Sequence, residues 1–376
     1  MSGTYVLAAG GTGGHLFPAE AVARLLVDRE CAVHLFTDRR ADAFAAAVPG
    51  VMIEQIRAGR FGGGPLHAAY GLAELAVGMV QARRRLRRLA PAAVLGFGGY
   101  PSVPTMLAAA QLGLPTLIHE QNAVFGRANR LLAMRAHCIA TGFPATRGLR
   151  DSYGRRLVVH TGNPVRAAIR AVGADGYAPP NERIELLVTG GSQGARVFSD
   201  IVPSAVGALP ETLRTRLRVS QQARPEDAEA VEAQYRRLGI TAEVAAFFHD
   251  MPARLQRAHL AICRAGASTI SELAAAGRPA VLVPYPHAMD DHQTINAGEF
   301  AGCGGGWVMP QPEFTAETLR ARLTAVFGEP STLAAAAAAA RAFARDDAAE
   351  RLAELAQGIA GSGDAAPTSG AMERAA

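Results

Sequence analysis

Along most of this chain, short apolar or β-branched runs alternate with longer amphipathic stretches. Residues 5–8 lead into 18–28, residues 32–36 into 40–47, and residues 93–96 into 104–113. Strands separated by helical crossovers build parallel sheets with helices on both faces, so an α/β fold is predicted. The pattern then starts again. LAAGGTGG at 7–14 is echoed by LVTGGSQG at 187–194, each placed between a predicted strand and a predicted helix. AAAQLGLPTLI at 108–118 is echoed by AAAGRPAVLV at 274–283: a helix end, a glycine, a proline and a buried strand. Two similar halves are the economical explanation, joined near TGNPV at 161–165. The expected division is one Rossmann-like domain over 1–162 and a second over 163–357, with the last helix a candidate to pack back on the first domain. Residues 358–376 are rich in Gly, Ala, Ser and Pro without periodicity and are expected to be disordered. A binding cleft is expected where the halves face each other across the carboxyl ends of their sheets.

Composition narrows the classes. With 376 residues, 49% hydrophobic and 19% charged, the chain is long enough for two packed domains and too apolar to be disordered. No basic segment precedes the first glycine loop, and no apolar run approaches the ~18 residues of a membrane span. Neither a signal peptide nor a transmembrane helix is therefore expected. Cys31, Cys138, Cys263 and Cys303 are far apart with no paired spacing, which predicts neither a disulfide framework nor a structural zinc. All 38 basic residues are arginine. Without lysine, ordinary Schiff-base pyridoxal chemistry and the P-loop of nucleotide hydrolases are excluded. Charge is uneven. Residues 1–165 hold 18 Arg against 9 Asp/Glu, a balance of +9, whereas 166–376 hold 20 against 24, a balance of −4. Only the first half is expected to meet an extended anionic surface.

Candidate chemistry is concentrated at predicted strand ends. In GGTGGH at 10–15, glycines let the backbone approach a ligand, and first-turn N–H groups with the helix dipole attract an anion. A dinucleotide fingerprint would need a third glycine where Leu16 stands, although Asp38 ends the next strand at a suitable distance. The repeat of the loop in the second half argues against a single nicotinamide site. GFGGYPS at 96–102 and RAGAST at 264–269 add a second anion-ready loop to each half. Two substrates that both carry diphosphates would account for the doubling. Glu272, three residues after Thr269, reads equally as half of a capping box or as a carboxylate for a ribose diol. Asp290 and Asp291 beside His292 suggest metal ligands at first sight, but no D-x-D follows an apolar strand, and an exposed acidic turn is expected. HEQN at 119–122 gathers polar groups at a further strand end.

Seven motifs carry a resemblance: GGTGGH at 10–15, GFGGYPS at 96–102, HEQN at 119–122, GNPVR at 162–166, GGSQGAR at 190–196, CRAGASTISE at 263–272 and DHQTINA at 291–297. In kind and order they resemble the MurG family of peptidoglycan N-acetylglucosaminyltransferases, over roughly residues 5–300. The resemblance implies the GT-B arrangement, two Rossmann-like domains facing each other across a cleft. It implies inverting transfer of N-acetylglucosamine from UDP-N-acetylglucosamine to undecaprenyl-pyrophosphoryl-MurNAc-pentapeptide, lipid I to lipid II. Donor contacts carry over to Thr12, Gly13, Gly14, Asn122, Arg166, Ser192, the backbone at Phe248, Ala267, Ser268, Thr269, Ile270, Ser271, Glu272 and Gln293. Ser192 and the helix start at 267–269 would hold the donor diphosphate, Glu272 the ribose, Phe248 the uracil edge and Gln293 the sugar hydroxyls, with His292 its neighbouring rival. The acceptor diphosphate would lie on Gly13, Gly14, Gly98, Gly99 and Tyr100. No cofactor is required on this reading, and a stimulating divalent cation is left open.

Inversion is direct displacement, in which the muramyl hydroxyl attacks the anomeric carbon as UDP leaves. It needs a base for the hydroxyl and charge stabilisation for the leaving diphosphate. His15 is the candidate base because an imidazole titrates near neutrality and follows the glycine loop; Glu120 is the alternative, and a phosphate contact is the other role open to His15. The lipid acceptor implies work at the cytoplasmic face of the cell membrane as a peripheral protein. Residues 72–89 place Leu72, Leu75, Ala76, Met79 and Leu86 near helical spacing beside Arg83, Arg84, Arg85, Arg87 and Arg88. That fits an interfacial helix on anionic lipid, against the plainer reading of a core helix with a solvated basic end. No base-reading module is present, so nucleic acid is not an expected partner. The rival functions are a UDP-sugar epimerase of the same fold and a non-catalytic sugar-nucleotide-binding protein.

Overall fold

The computed structural model describes residues 3–10, 13–38, 48–59, 64–150, 157–191 and 194–361. The helix expected over 40–47, Thr12, Ser192 and the tail beyond Gly361 lie outside the described residues. The chain forms two compact units: Met1–Pro164 together with the segment from Arg345, and Val165–Ala344.

The first unit is built on a parallel sheet of β1 (Thr4–Ala8), β2 (Ala32–Thr37), β3 (Met52–Gln55), β4 (Ala93–Gly96), β5 (Thr116–Glu120), β6 (Cys138–Thr141) and β7 (Leu157–His160). Their order is β3-β2-β1-β4-β5-β6-β7. Side chains alternate along each strand, so one face sends Leu7, Leu35, Leu95 and Leu117 into one core while Val6, Phe36, Val94 and Ile118 enter another. Helix Gly13–Asp28 covers the first face; helices Pro65–Leu89, Ser102–Gln111 and Arg127–Ala133 cover the second. The crossovers thus leave the first face bare over β4 to β6. Helix Ala348–Gly361 fills it, burying Leu352, Ala353, Ala356 and Ile359 against that sheet. Its transfer to the first unit moves the boundary that the sequence placed at 357.

The second unit repeats the plan with β8 (Ile184–Thr189), β9 (Leu217–Gln222), β10 (Thr241–Ala245), β11 (Leu260–Cys263), β12 (Ala280–Leu282) and β13 (Gly306–Val308). Their order is β10-β9-β8-β11-β12-β13, parallel throughout. In both sheets the strand order reverses direction at one place, between β1 and β4 and between β8 and β11. Ligands of such sheets bind outside the carboxyl ends at that switch point. The four glycine loops singled out in the sequence are the loops that leave these four strands. Register aligns their ends: Ala8 pairs with Gly96, and Thr189 with Cys263.

Candidate active site

In the first unit, the loops after β1, β4 and β5 meet around His15. Gly98 and Gly99 hold left-handed backbone, with φ of +81° and +72°. A Cβ at Gly98 or Gly99 would stand 3.4 or 3.2 Å from the His15 ring, so two adjacent glycines allow the imidazole to lie directly on the backbone. His15 itself is half-buried in the first turn of its helix, and its Nδ1 is 3.2 Å from Gln121 Oε1. Tyr100, placed by the resemblance at the acceptor diphosphate, donates its hydroxyl to Asp38 at 3.0 Å. Asp38 is thereby tied into its own unit, where a nicotinamide reading would have sent it to a ribose.

The HEQN segment is an interior scaffold rather than a loop of solvated polar groups. His119, Glu120 and Gln121 are all buried. Glu120 accepts four hydrogen bonds: at Oε1 from Asn122 N (3.0 Å) and Nδ2 (3.3 Å), and at Oε2 from Gly126 N (2.8 Å) and Asn129 Nδ2 (2.8 Å). With both oxygens taken up by these four donors the carboxylate shapes the loop, which counts against Glu120 as the base on geometry. Asn122, a carried-over donor contact, is held by Glu120 through both its backbone and its side chain. The GNPVR segment closes the scaffold from behind, because Asn163 Nδ2 donates to Gln121 O at 2.9 Å and Gly162 O meets His119 Nε2 at 3.1 Å. Burial holds the His119 imidazolium off, lowering its pKa to about 4, so the ring is neutral at physiological pH.

In the second unit, the loop after β8 begins at Gly190, where a Cβ would lie 2.3 Å from Ala195 N; only glycine permits that turn. Gln222, at the end of β9, clamps it by accepting from Thr189 Oγ1 (2.9 Å) and Gly190 N (3.2 Å) and donating to Gly191 O (2.9 Å). After β11, helix Ala267–Ala276 starts from Gly266, which offers no side-chain cap. The first-turn N–H groups of Ala267, Ser268 and Thr269 are the anion-ready end that the sequence predicted. Ile270 points into the core and Ser271 bonds back to Ala267 O at 2.9 Å.

Glu272 does not close a capping box with Thr269. Its Oε1 accepts from Arg166 Nε (3.2 Å) and Nη2 (2.8 Å), a two-pronged pair between two carried-over donor residues. About 20% of the Glu272 side chain remains exposed, yet burial of the rest pushes its carboxyl above the usual carboxylate range, against the pull of Arg166. Gln293 accepts through Oε1 from Ala265 N (3.2 Å) and Tyr285 N (2.9 Å), so its NH₂ is the end with donors to offer a sugar. Its rival His292 is turned to Met289 O at 2.8 Å. Phe248 is buried with the Arg254 guanidinium 3.7 Å from its ring centroid, so its ring is packed into the unit.

Residues 5–141 match the glycosyltransferase family 28 N-terminal domain, and residues 185–352 match the family 28 C-terminal domain. The chain belongs to glycosyltransferase family 28. It is 56% identical over 373 residues to the UDP-N-acetylglucosamine–N-acetylmuramyl-(pentapeptide) pyrophosphoryl-undecaprenol N-acetylglucosamine transferase of Rhodospirillum centenum, a match covering 99% of this chain and 98% of that one. The protein of the same name from Paramagnetospirillum magneticum is 53% identical over 356 residues, covering 94% and 96%. Among solved structures, Acinetobacter baumannii MurG aligns at 34% identity with a TM-score of 0.77, covering 95% of this chain and 99% of that one. The resemblance drawn from seven short motifs thus extends over the whole family 28 fold.

Two kinds of residue in this family 28 chain escaped sequence reasoning. Gln222 and Asn129 act at a distance in sequence from the loops they hold. Asn296, inside a recognised motif, is fully buried and donates to Ala265 O at 3.1 Å. Gln222 ends a strand of mixed polarity and Asn129 and Asn296 lie in helices, so no local signal in the sequence marks them.

Proposed function

We propose that this glycosyltransferase transfers N-acetylglucosamine, with inversion, from UDP-N-acetylglucosamine to the muramyl hydroxyl of lipid I, giving lipid II and UDP for peptidoglycan synthesis. The observation that carries the reading is 56% identity, across 99% of the chain, to a transferase of that name. The geometry suits it. In the second unit, the N-terminus of helix Ala267–Ala276 receives the donor diphosphate, and Glu272, oriented by Arg166, accepts from the ribose. As UDP departs, helix N–H groups and Arg166 stabilise the charge that develops, so a metal is not required. In the first unit, His15 removes the proton of the attacking hydroxyl. The resulting bond joins the muramyl oxygen to the anomeric carbon, and the bond to the UDP oxygen breaks.

We place the enzyme peripherally on an anionic membrane face through helix Pro65–Leu89. Among the described residues no helix is long and apolar enough to cross a membrane. The outer surface of helix Pro65–Leu89 is divided along its length. Tyr70 (68% exposed), Leu72 (61%), Val77 (41%) and Val80 (50%) are followed by exposed Arg83, Arg84, Arg87 and Arg88. Two assignments from the sequence change. Leu86 is buried in the core, and Arg85 turns inward to Glu54 (2.9 Å) and Gln55 O (2.8 Å), so neither belongs to the lipid-facing set.

The deciding experiment supplies labelled UDP-N-acetylglucosamine with a short-chain lipid I analogue and determines the product linkage by NMR. UDP release that depends on the acceptor, with a β linkage formed, is the expected result. Conversion of UDP-N-acetylglucosamine without acceptor would favour the epimerase, and binding without turnover a non-catalytic role.

A further inference from the structure

We infer that Gln121 is a positioning residue that fixes the tautomer of His15, so that Nδ1 carries the proton and Nε2 is the basic nitrogen. The inference rests on His15 as the base and adds the residue that prepares it.

One line of hydrogen bonds runs from Gly162 through His119 and Gln121 to His15 in the first unit. It begins at a group with no choice, the carbonyl of Gly162, which can only accept. His119 Nε2 lies 3.1 Å from it and must therefore be the protonated nitrogen. His119 is fully buried and neutral, so its other nitrogen, Nδ1, holds a lone pair. Gln121 Nε2 stands 3.2 Å from that nitrogen, 2.9 Å from Phe97 O and 3.2 Å from His119 O. Three acceptors around one end of a carboxamide identify that end as the NH₂. A flipped amide would press its oxygen against two carbonyls and a lone pair. Oε1 is therefore the outward end, and it faces His15 Nδ1 at 3.2 Å. An oxygen without a hydrogen can only accept, so the proton lies on Nδ1 of His15. In a neutral imidazole this leaves the lone pair on Nε2.

The order of these bonds explains why the segment reads His-Glu-Gln. Glu120 holds the turn, His119 anchors the chain to Gly162, and Gln121 transmits that polarity to His15. Phe97 packs edge-on to His119 with ring centroids 5.9 Å apart, keeping the anchor ring from turning. The ring of His15 is set against Gly98 and Gly99 on its other side, so its plane and its tautomer are each fixed by a different loop.

The test compares two variants of similar volume in the full-length chain. Gln121→Met removes the acceptor, whereas Gln121→Glu keeps an oxygen for His15 Nδ1 and, with its inner oxygen protonated, still offers one donor to the acceptors Phe97 O, His119 O and His119 Nδ1. Long-range ¹H–¹⁵N spectra of histidine-labelled protein should show His15 as the Nδ1–H form in the wild type and Gln121→Glu, and as a mixture or the Nε2–H form in Gln121→Met. We expect kcat to fall about tenfold in Gln121→Met, the size of one oriented hydrogen bond, with UDP affinity unchanged and most activity kept in Gln121→Glu. In a His15→Ala background the Met substitution should cost no further activity, since its effect passes through that ring. An unaltered His15 tautomer in Gln121→Met overturns the inference, as does an equal loss of kcat in the presence and absence of His15. If His15→Ala itself proves nearly as active as the wild type, the base assignment fails, while the spectra still decide whether Gln121 sets the tautomer.

Discussion

Replacing Glu272 by alanine should weaken UDP binding by roughly 1–3 kcal/mol while leaving the fold intact. Of its two oxygens, Oε1 is engaged by Arg166 at 2.8 and 3.2 Å, so on the ribose reading Oε2 is the oxygen that would meet a ligand's hydroxyls. A ribose diol brings hydroxyl donors to an ionised carboxylate, and hydrogen bonds to charged groups contribute about 1.5–3 kcal/mol. An opposing effect is the release of Arg166, whose side chain is 42% exposed. An exposed guanidinium freed to attract a phosphate contributes about 1 kcal/mol at most, so the loss prevails. Calorimetry should therefore show a Kd raised about 5- to 150-fold. Stability is expected to hold, because burial raises the Glu272 pKa; a folded-state pKa above the unfolded value means that the ionised group adds no stability at neutral pH. The same shift sets a pH signature. As pH falls, wild-type affinity should decline before an ordinary carboxylate would protonate, whereas the Glu272→Gln variant should lack that limb. Titration with 2′-deoxy-UDP completes the assay, since the wild type should discriminate against it and the alanine variant should not. An alanine variant that binds UDP within twofold of wild type, with discrimination retained, would refute the ribose role.

The remaining predictions concern the first unit. His15→Ala should leave UDP binding nearly unchanged but lower kcat about 10²–10⁴-fold and abolish the acidic limb of the kcat–pH profile; a raised acceptor KM with that limb intact would instead indicate a phosphate contact. Glu120→Ala should destabilise the chain by roughly 2–4 kcal/mol in chemical denaturation, because the backbone N–H groups of Asn122 and Gly126 and the Asn129 amide lose a buried acceptor. Glu120→Gln, if it folds, should keep more activity than His15→Ala, an order that would reverse were Glu120 the base. Changing Arg83, Arg84, Arg87 and Arg88 to Gln should weaken binding to anionic vesicles by about 1 kcal/mol per charge, with turnover of a soluble acceptor preserved. Unchanged vesicle binding would return that surface to the status of a solvated helix end.

The sequence by itself determined the parts that depend on neighbours along the chain. Apolar runs between helical stretches specify parallel strands, since a strand buried on both faces has no polar alternation to show. The repeat of the glycine loop after β1 and β8, with the echo of 108–118 in 274–283, made two similar halves legible before any contact was known. Those glycines answer local needs, a left-handed φ at Gly98 and Gly99 or a backbone approach at Gly190, which only one residue type meets.

Tertiary structure decided the matters that depend on partners distant in sequence. Thr269 and Glu272 have capping-box spacing, but Arg166 lies within reach of the carboxylate and takes it. Glu120 stood as the alternative to His15 until the donors around it were placed, after which its lone pairs were committed. Helix Ala348–Gly361 followed the second unit in sequence, yet the uncovered face over β4 to β6 drew it to the first. The apolar spacing of residues 72–89 fitted a core helix most plainly and an interfacial helix as well. Burial of Leu86, inward pairing of Arg85 and exposure of Tyr70, Val77 and Val80 separated the two faces. Periodicity reports that a helix has faces; which face meets protein depends on what the rest of the chain packs against it.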